Sequence, residues 1–553
     1  MLVVNGKSIL NGIAIGPLLV YHKADAAVSS ATALTPQEEW TRFEDACEKV
    51  KEHLADLYEK ALEDVGEENA AIFEIHQMML EDEDYLDAVK DMLETQGTSA
   101  EYAASTVGDQ FSASFAAMDD AYMQARAADV RDVSHQVVNM LTGRTDGTLL
   151  GDRPVILVAD DLTPSETIQL DKSKLLGFIT RHGSSNSHTA ILARTMNIPA
   201  LVGVDIDESW DGQMAVLDGY HHCAHINPTP DLLSSMEEKR KQDLEDQAAL
   251  QKLKGLANVT LNGTEVNVYA NIGNVGDVGL VVQNDAGGIG LFRSEFIYLE
   301  ADDYPTEEQQ FIIYKRVVQA MAGKKVVFRT LDIGADKQAA YFHLDDEANP
   351  AMGYRAIRIC LTRKDIFKQQ LRAMLRASAF GTVSIMFPMI ISVQEVREAK
   401  HVLAECREEL VSEGEAIGEV ELGIMVETPA AVMMADELAE EVSFFSLGTN
   451  DLTQYTLAID RQNSKLDAIN DPHHPAVLRM IRHTIEAGHR HNCWVGICGE
   501  LGADPTLTET FLRMGVDELS VSPASVLPLR RRIRSLDLNQ EPETQVPACD
   551  PCK

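Results

Sequence analysis

Apolar runs long enough to span a membrane are missing. The longest, Val383 to Val393, has 11 residues and contains Pro388, against about 18 for a spanning helix. Basic residues are scarce: 48 Lys and Arg face 87 Asp and Glu in 553 residues, a formal net charge of −39. No basic footprint for nucleic acid or an anionic membrane is therefore expected. Cysteine is sparse as well. Eight residues, mostly scattered, make no disulfide framework, and a reducing, cytoplasmic setting is the expectation. The N-terminal MLVVNGKSILNGIAIG has no basic segment, and Lys7 and two Asn interrupt its apolar stretch, so neither signal peptide nor anchor is expected. What is present is ordinary globular material, 45% hydrophobic and 24% charged. At roughly 150 residues per domain, the length predicts two to four domains.

The pattern along the chain divides it further. Residues 1–34 read as short β-type runs with Gly turns. From Pro36 to about Met140 helix formers take over, with apolar-face positions such as Ile72, Ile75, His76 and Met79 at helical spacing. Residues 36–140 hold 26 acidic and 7 basic residues. Such a surplus suits a solvated helix bundle, or a docking surface for a small basic protein. After Gly143, β and α segments alternate through PVILVA, LLGFIT, a helix over 190–196, ALVGV and MAVLDG. Joining 144–230 to 1–34 predicts one α/β domain with the helical stretch 35–143 inserted. Residues 231–258 are polar and helix-prone, a linker helix about 40 Å long if fully helical. Residues 259–538 then carry eight apolar β-prone runs, beginning VNVYANI, GIGLFRSEF, VVFRTLDIG and VSIMFPM and continuing LGIMVETP, VSFFSLGTND, WVGICGE and ELSVSP. That number and period predict a (β/α)8 TIM barrel whose strands are buried on both faces. The tail 539–553 is Pro- and Glu-rich and ends in a C-x-x-C pair, Cys549 and Cys552, read as a flexible tail.

Several residues could carry chemistry. In GFITRHGSSNSHTAILART (177–195), His188 stands between a Gly/Ser-rich loop and a helix start, where orphan amides and hydroxyls favour an anion. It could be a phosphoryl-accepting nucleophile or a helix cap. Arg293, Arg329, Arg355 and Arg461 interrupt or follow the apolar strands. Buried guanidinium groups need partners, either salt bridges or a doubly charged substrate gripped in bidentate fashion. Glu427 ends the fifth barrel strand and Asn450-Asp451 the sixth. The two acids could share one Mg2+, or serve as a salt bridge and a cap. Cys498 ends the seventh, either as packing or as a proton donor.

The motifs NSHTAILAR, FRSEF, FRTLDIG, GYRAIRI, IMVETPAAV, FFSLGTNDLTQYTLAIDR and GICGE together closely resemble the enzyme I family of the bacterial sugar phosphotransferase system, the phosphoenolpyruvate-protein phosphotransferases, over nearly the whole chain. The resemblance implies a multidomain α/β fold: a swivelling phosphohistidine domain with an inserted α-helical bundle, then a C-terminal TIM barrel. It implies phosphoenolpyruvate at the barrel mouth and Mg2+ on Glu427 and Asp451. Arg293, Arg329 and Arg461 would grip the phosphate, with Arg355 nearby and Asn450 in the same pocket. His188 would be phosphorylated at Nε2, and Cys498 would protonate the pyruvate enolate. The helical insert would dock the histidine-containing phosphocarrier HPr, and the barrel would form a homodimer. One departure is local: Gly183-Ser184-Ser185-Asn186-Ser187 replaces the family's Gly-Gly-Arg-Thr-Ser with a preceding acid. Competing readings are an ATP-dependent dikinase, a lyase acting on a pyruvate enolate and a non-catalytic scaffold. The first lacks both space before His188 for a nucleotide-grasping domain and a G-x-x-x-x-G-K-[ST] loop. The second leaves His188 unemployed, and the third needs none of the Arg, acid, His and Cys set.

Overall fold

The structure, a computed structural model, describes the chain apart from residues 22–27, 66, 118–120, 144–149, 151–152, 183–189, 191–192, 194–197, 302, 336–338, 462, 467–468 and 541–553. The chain forms two units, Met1–Gln247 and Ala248–Lys553.

The first unit is built on an eight-stranded mixed sheet. Its strands are β1 (Leu2–Asn5), β2 (Lys7–Leu10), β3 (Ile13–Tyr21), β4 (Val155–Ala159), β5 (Leu175–Thr180), β6 (Ala200–Val202), β7 (Met214–Asp218) and β8 (Cys223–Ile226), in the order β1-β8-β7-β3-β4-β5-β6-β2. β3 lies between parallel β4 and antiparallel β7, so chain segments on either side of the helical stretch share one sheet. β4 and most of β5 are buried on both faces, which explains their unbroken apolar sequences. Between β3 and β4 come α1 (Pro36–Val65), α2 (Glu67–Met79), α3 (Glu83–Gln96), α4 (Ala100–Ala116) and α5 (Ala121–Thr142). Local signals set their ends. Asp82 caps α3 by accepting from the Tyr85 amide, Gly97 closes it in the left-handed region, and Ser99 caps α4. Phe43, Leu54, Phe73, Val89 and Leu93 form the bundle's own core. In α2 and the turn after it, Phe73, His76 and Leu80 are buried, while Ile72, Ile75 and Met79 are partly so; of the four positions read from the sequence, His76 alone is fully buried. The short α6 (Pro164–Gln169) starts in a complete capping box of Thr163 and Glu166. The helix Pro230–Gln251 has no buried residue.

The second unit is a closed parallel barrel of β9 (Asn267–Ile272), β10 (Ile289–Arg293), β11 (Val326–Arg329), β12 (Val383–Phe387), β13 (Val420–Val426), β14 (Phe444–Leu447), β15 (Trp494–Ile497) and β16 (Glu518–Val521). Each of the eight apolar runs of the sequence coincides with one strand, β13 starting two residues before its run. Leu291, Val327, Met386, Met425, Phe444 and Cys498 fill the barrel interior. The outward strand faces pack beneath the helices in a single large core. Among the described residues no helix is long and apolar enough to cross a membrane.

Candidate active site at the barrel mouth

The C-terminal strand ends bring most of the expected residues together. Arg329 closes β11 with its side chain almost fully buried. Its Nη2 lies 2.5 Å from Glu295 Oε1 and its Nη1 3.1 Å from Asp332 Oδ2. Asp332 also holds Arg355, Oδ1 to Nη2 at 2.9 Å. Burial works against the charge on Arg329, but Glu295, Asp332 and Glu427 outweigh it and keep the group more basic than usual. Its Nε, by contrast, is buried with no hydrogen-bond partner among the described residues, a costly state for a donor unless a ligand supplies the acceptor. Arg293, at the end of β10, is exposed and makes no ion pair among the described residues. Arg461 stands 3.8 Å from Asp451 through Nη2 and Oδ1.

Glu427 follows β13 and is 1% exposed. Its Oε1 accepts from the amide of Met389 at 2.6 Å. Met389 itself adopts the left-handed region (φ 58°), a strained conformation for a residue with a Cβ, and that turn presents its N–H to the carboxylate. Burial, then the charges of Asp451 and Asp332, push Glu427 up to about 8, against the opposing pull of Arg329 and the Met389 amide. Gly448 permits the approach of the two acidic loops: a Cβ there would stand 2.8 Å from Glu427 Cβ and 2.9 Å from its Oε2. Asp451 lies in the first turn of the helix Thr449–Leu457.

The pair suits a divalent cation. The charge of Asp451 acts on Glu427, Glu427 offers a second oxygen beyond the one on Met389, and Mg2+ commonly takes one or two protein carboxylates with water and substrate oxygens. Among the described residues no group of three or more His, Cys, Asp or Glu side chains is arranged for a metal.

One strand beyond the Asp451 loop, Cys498 follows β15, 4% exposed, with its Sγ 3.6 Å from the Leu447 carbonyl. Burial pushes its thiol up to about 11, so it keeps its proton at neutral pH. Asn450 Nδ2 donates to Glu500 Oε1 at 3.1 Å, and its Oδ1 accepts from the Glu500 amide at 3.2 Å. Thr449 Oγ1 is buried without a hydrogen-bond partner among the described residues. Gly499 lets the Cys498 loop pass close to Thr449, whose amide nitrogen would be 2.7 Å from a Cβ.

His188 and its loop, with Ser184, Ser185, Ser187, Thr189 and Arg194, lie outside the described residues, as do Cys549 and Cys552. Of that helix Ala190 and Ala193 are described, both helical and fully buried. The sequence reading passed over Glu295 and Asp332, the acids that fix Arg329 and Arg355. A signal was available: each stands two or three residues after a strand-end arginine, in FRSEF and FRTLD.

A parallel barrel whose mouth gathers arginines, a carboxylate pair and a protonated thiol, in a chain with a separate α/β unit, defines an enzyme for a small anionic substrate. Comparison with known proteins narrows the class. Family models described as PEP-utilising enzyme, N-terminal, mobile domain and PEP-binding domain match residues 5–126, 151–222 and 247–538. A phosphoenolpyruvate-protein phosphotransferase of Bacillus sp. (strain S) is 44% identical over 537 residues, 96% of this chain and 93% of the relative. One from Staphylococcus aureus (strain MRSA252) is 42% identical over 552 residues, 99% and 96% of the two chains. A solution structure of an Enzyme I protein (nEIt) is 31% identical with a TM-score of 0.37, covering 43% of this chain and 98% of that one. The chain belongs to the PEP-utilising enzymes and, among them, to the phosphoenolpyruvate-protein phosphotransferases. It is a phosphotransferase that draws on phosphoenolpyruvate.

Proposed function

We propose that the chain transfers the phosphoryl group of phosphoenolpyruvate to Nε2 of its own His188, releases pyruvate, and passes the group to a histidine of HPr as the first step of sugar phosphotransferase uptake. The observation that carries this is Arg329: a guanidinium held by Glu295 and Asp332 whose buried Nε still needs an acceptor. Arg293 and Arg461 supply further charge at the same mouth, with Arg355 behind Asp332 and Asn450 at the rim. Planar guanidinium groups match the oxygens of a phosphate dianion.

Glu427 and Asp451 would hold Mg2+, which when bound neutralises charge on the phosphate and the enol oxygen. This chain's residues do the rest. The arginines orient the phosphate for in-line attack and offset the charge that builds on its oxygens. The lone pair of His188 Nε2 forms the new P–N bond while the bridging P–O bond breaks, and that electron pair stays on the enolate. Cys498 Sγ then gives its proton to the enolate's methylene carbon, completing pyruvate, and regains one from solvent. The thiol's raised proton affinity suits a donor to a carbanion.

His188 belongs to the first unit, so transfer requires it to reach the barrel mouth and afterwards turn to HPr. The exposed helix Pro230–Gln251 is the natural place for the change of orientation. The acidic helical insert would receive HPr. Dimerisation through the barrel and a cytoplasmic setting complete the reading, with no role for nucleic acid or membrane insertion. Incubation with labelled phosphoenolpyruvate and Mg2+ without nucleotide tests it. An acid-labile protein label that His188→Ala abolishes is the expected outcome. Label that survives His188→Ala, or that needs ATP, would contradict it.

A further inference from the structure

Behind the mouth, the barrel wall contains a polar chain that touches no proposed ligand position. Ser294, Gln310 and Gln370 have no exposed surface, nor has Tyr314. Ser294 Oγ donates to the carbonyl of Arg329 at 2.6 Å. Gln370, on the outer helix Lys364–Ala377, donates through Nε2 to Ser294 Oγ at 2.9 Å and to the Tyr314 hydroxyl at 3.2 Å, while its Oε1 accepts from the Leu331 amide at 2.9 Å. Tyr314 donates onward to Gln310 Oε1 at 3.2 Å, and Gln310 Nε2 donates to the Pro305 carbonyl at 2.9 Å.

Polar groups this deep are costly unless satisfied, and apolar residues of the same shape would serve packing about as well. What the chain grips is therefore informative. β11 ends at Arg329, and beyond it the Arg329 carbonyl and the Leu331 amide turn away from the sheet onto Ser294 and Gln370. The residues that follow Ser294 and Leu331 reach the head groups instead. Glu295 follows Ser294 and holds Arg329 Nη2; Asp332 follows Leu331 and holds Arg329 Nη1 and Arg355 Nη2. Ser294 and Glu295 thus fasten the arginine's backbone from behind and its head group from in front, while Gln370, by holding the Leu331 amide, fixes the segment that carries Asp332.

We infer that Gln370 is a positioning residue: from an outer helix it sets the backbone turn that places Asp332 on Arg329 and so aims Arg329 at the phosphate of phosphoenolpyruvate. The inference rests on the reading of Arg329 as a phosphate ligand. Small displacements of such groups cost rate steeply even when the altered residue is remote from the chemistry.

The test compares full-length variants by steady-state kinetics with phosphoenolpyruvate and by melting temperature. Gln370→Met is expected to lower kcat/KM for phosphoenolpyruvate by ~10–100-fold, well beyond Leu410→Ala, a buried change elsewhere in the barrel's helical layer that serves as a stability control. Gln370→Glu keeps the acceptor for the Leu331 amide and regains one of the two donor bonds only when protonated, so its kcat/KM should recover in part as pH falls, whereas that of Gln370→Met should not. Ser294→Ala, which removes the bond to the Arg329 carbonyl and the one accepted from Gln370 but leaves Gln370 on the Leu331 amide, should show the same loss at smaller size and serves if Gln370→Met does not fold. If these variants match the kinetics of Leu410→Ala, the positioning role is overturned. Arg329→Lys separates the two levels: kinetics unchanged in that variant would overturn the phosphate-ligand reading itself.

Discussion

Cys498 shows what a single environment does to a side chain. A thiol in water loses its proton a little above neutrality, but burial among Leu291, Met425 and Phe444 moves that point up to about 11. Cys498→Ala should therefore slow pyruvate formation by ~100-fold or more while changing KM for phosphoenolpyruvate much less, as read by quenched-flow assay of pyruvate. Equal pyruvate rates in the variant and the parent would remove the thiol from the proton path. The position of this cysteine, like those of Glu427 and the strand-end arginines, is legible in sequence because polar residues at the end of an apolar run stand out. Their partners are not. Glu295 lies 34 residues from Arg329 and Gln370 39 residues from Leu331. His76 was read as one position of an apolar face, yet it is fully buried with Asp129 Oδ1 at 3.5 Å and Asp132 Oδ2 at 4.0 Å, both carboxylates from α5. Only the folded bundle brings those acids to it.

At the scale of elements, β16 opens with Glu518, 3% exposed. Gly290 leaves room for it, since a Cβ there would stand 2.2 Å from its Oε1. Burial, then Glu421 and Asp517, push Glu518 up to about 8, and Lys325 only partly opposes them. The folded chain thus holds this proton over a range in which the unfolded chain has released it. The stabilising contribution is complete below about pH 4.5 and is lost as pH rises to about 8. Its size is on the order of a few kcal/mol for a shift this large. Glu518→Gln should flatten the fall of melting temperature across that window and raise it at pH 8; an unchanged slope would contradict the assignment. The strands themselves were the most legible elements. Two-sided burial demands continuous apolar sequence, and all eight barrel runs proved to coincide with strands. The short β8 escaped notice because four residues leave little pattern, and the left-handed turn at Met389 has no glycine to announce it.

For the whole molecule, charge and division into units decide behaviour. Residues 36–140 hold 26 acidic against 7 basic residues, so the KM for HPr should rise steeply with ionic strength while that for phosphoenolpyruvate, bound in a buried mouth, rises less. Similar salt slopes for the two would place HPr elsewhere. A covalent crosslink between the two units should abolish at least one half-reaction; if both persisted, no swivel would be needed.

The most direct test follows a single phosphoryl group. The chain is labelled from phosphoenolpyruvate, freed of substrate and Mg2+, and mixed with HPr. The account predicts that the label leaves His188 and appears on a histidine of HPr in one turnover, with neither phosphoenolpyruvate nor metal present. Label that stays on the chain, or is lost only to water, would contradict it.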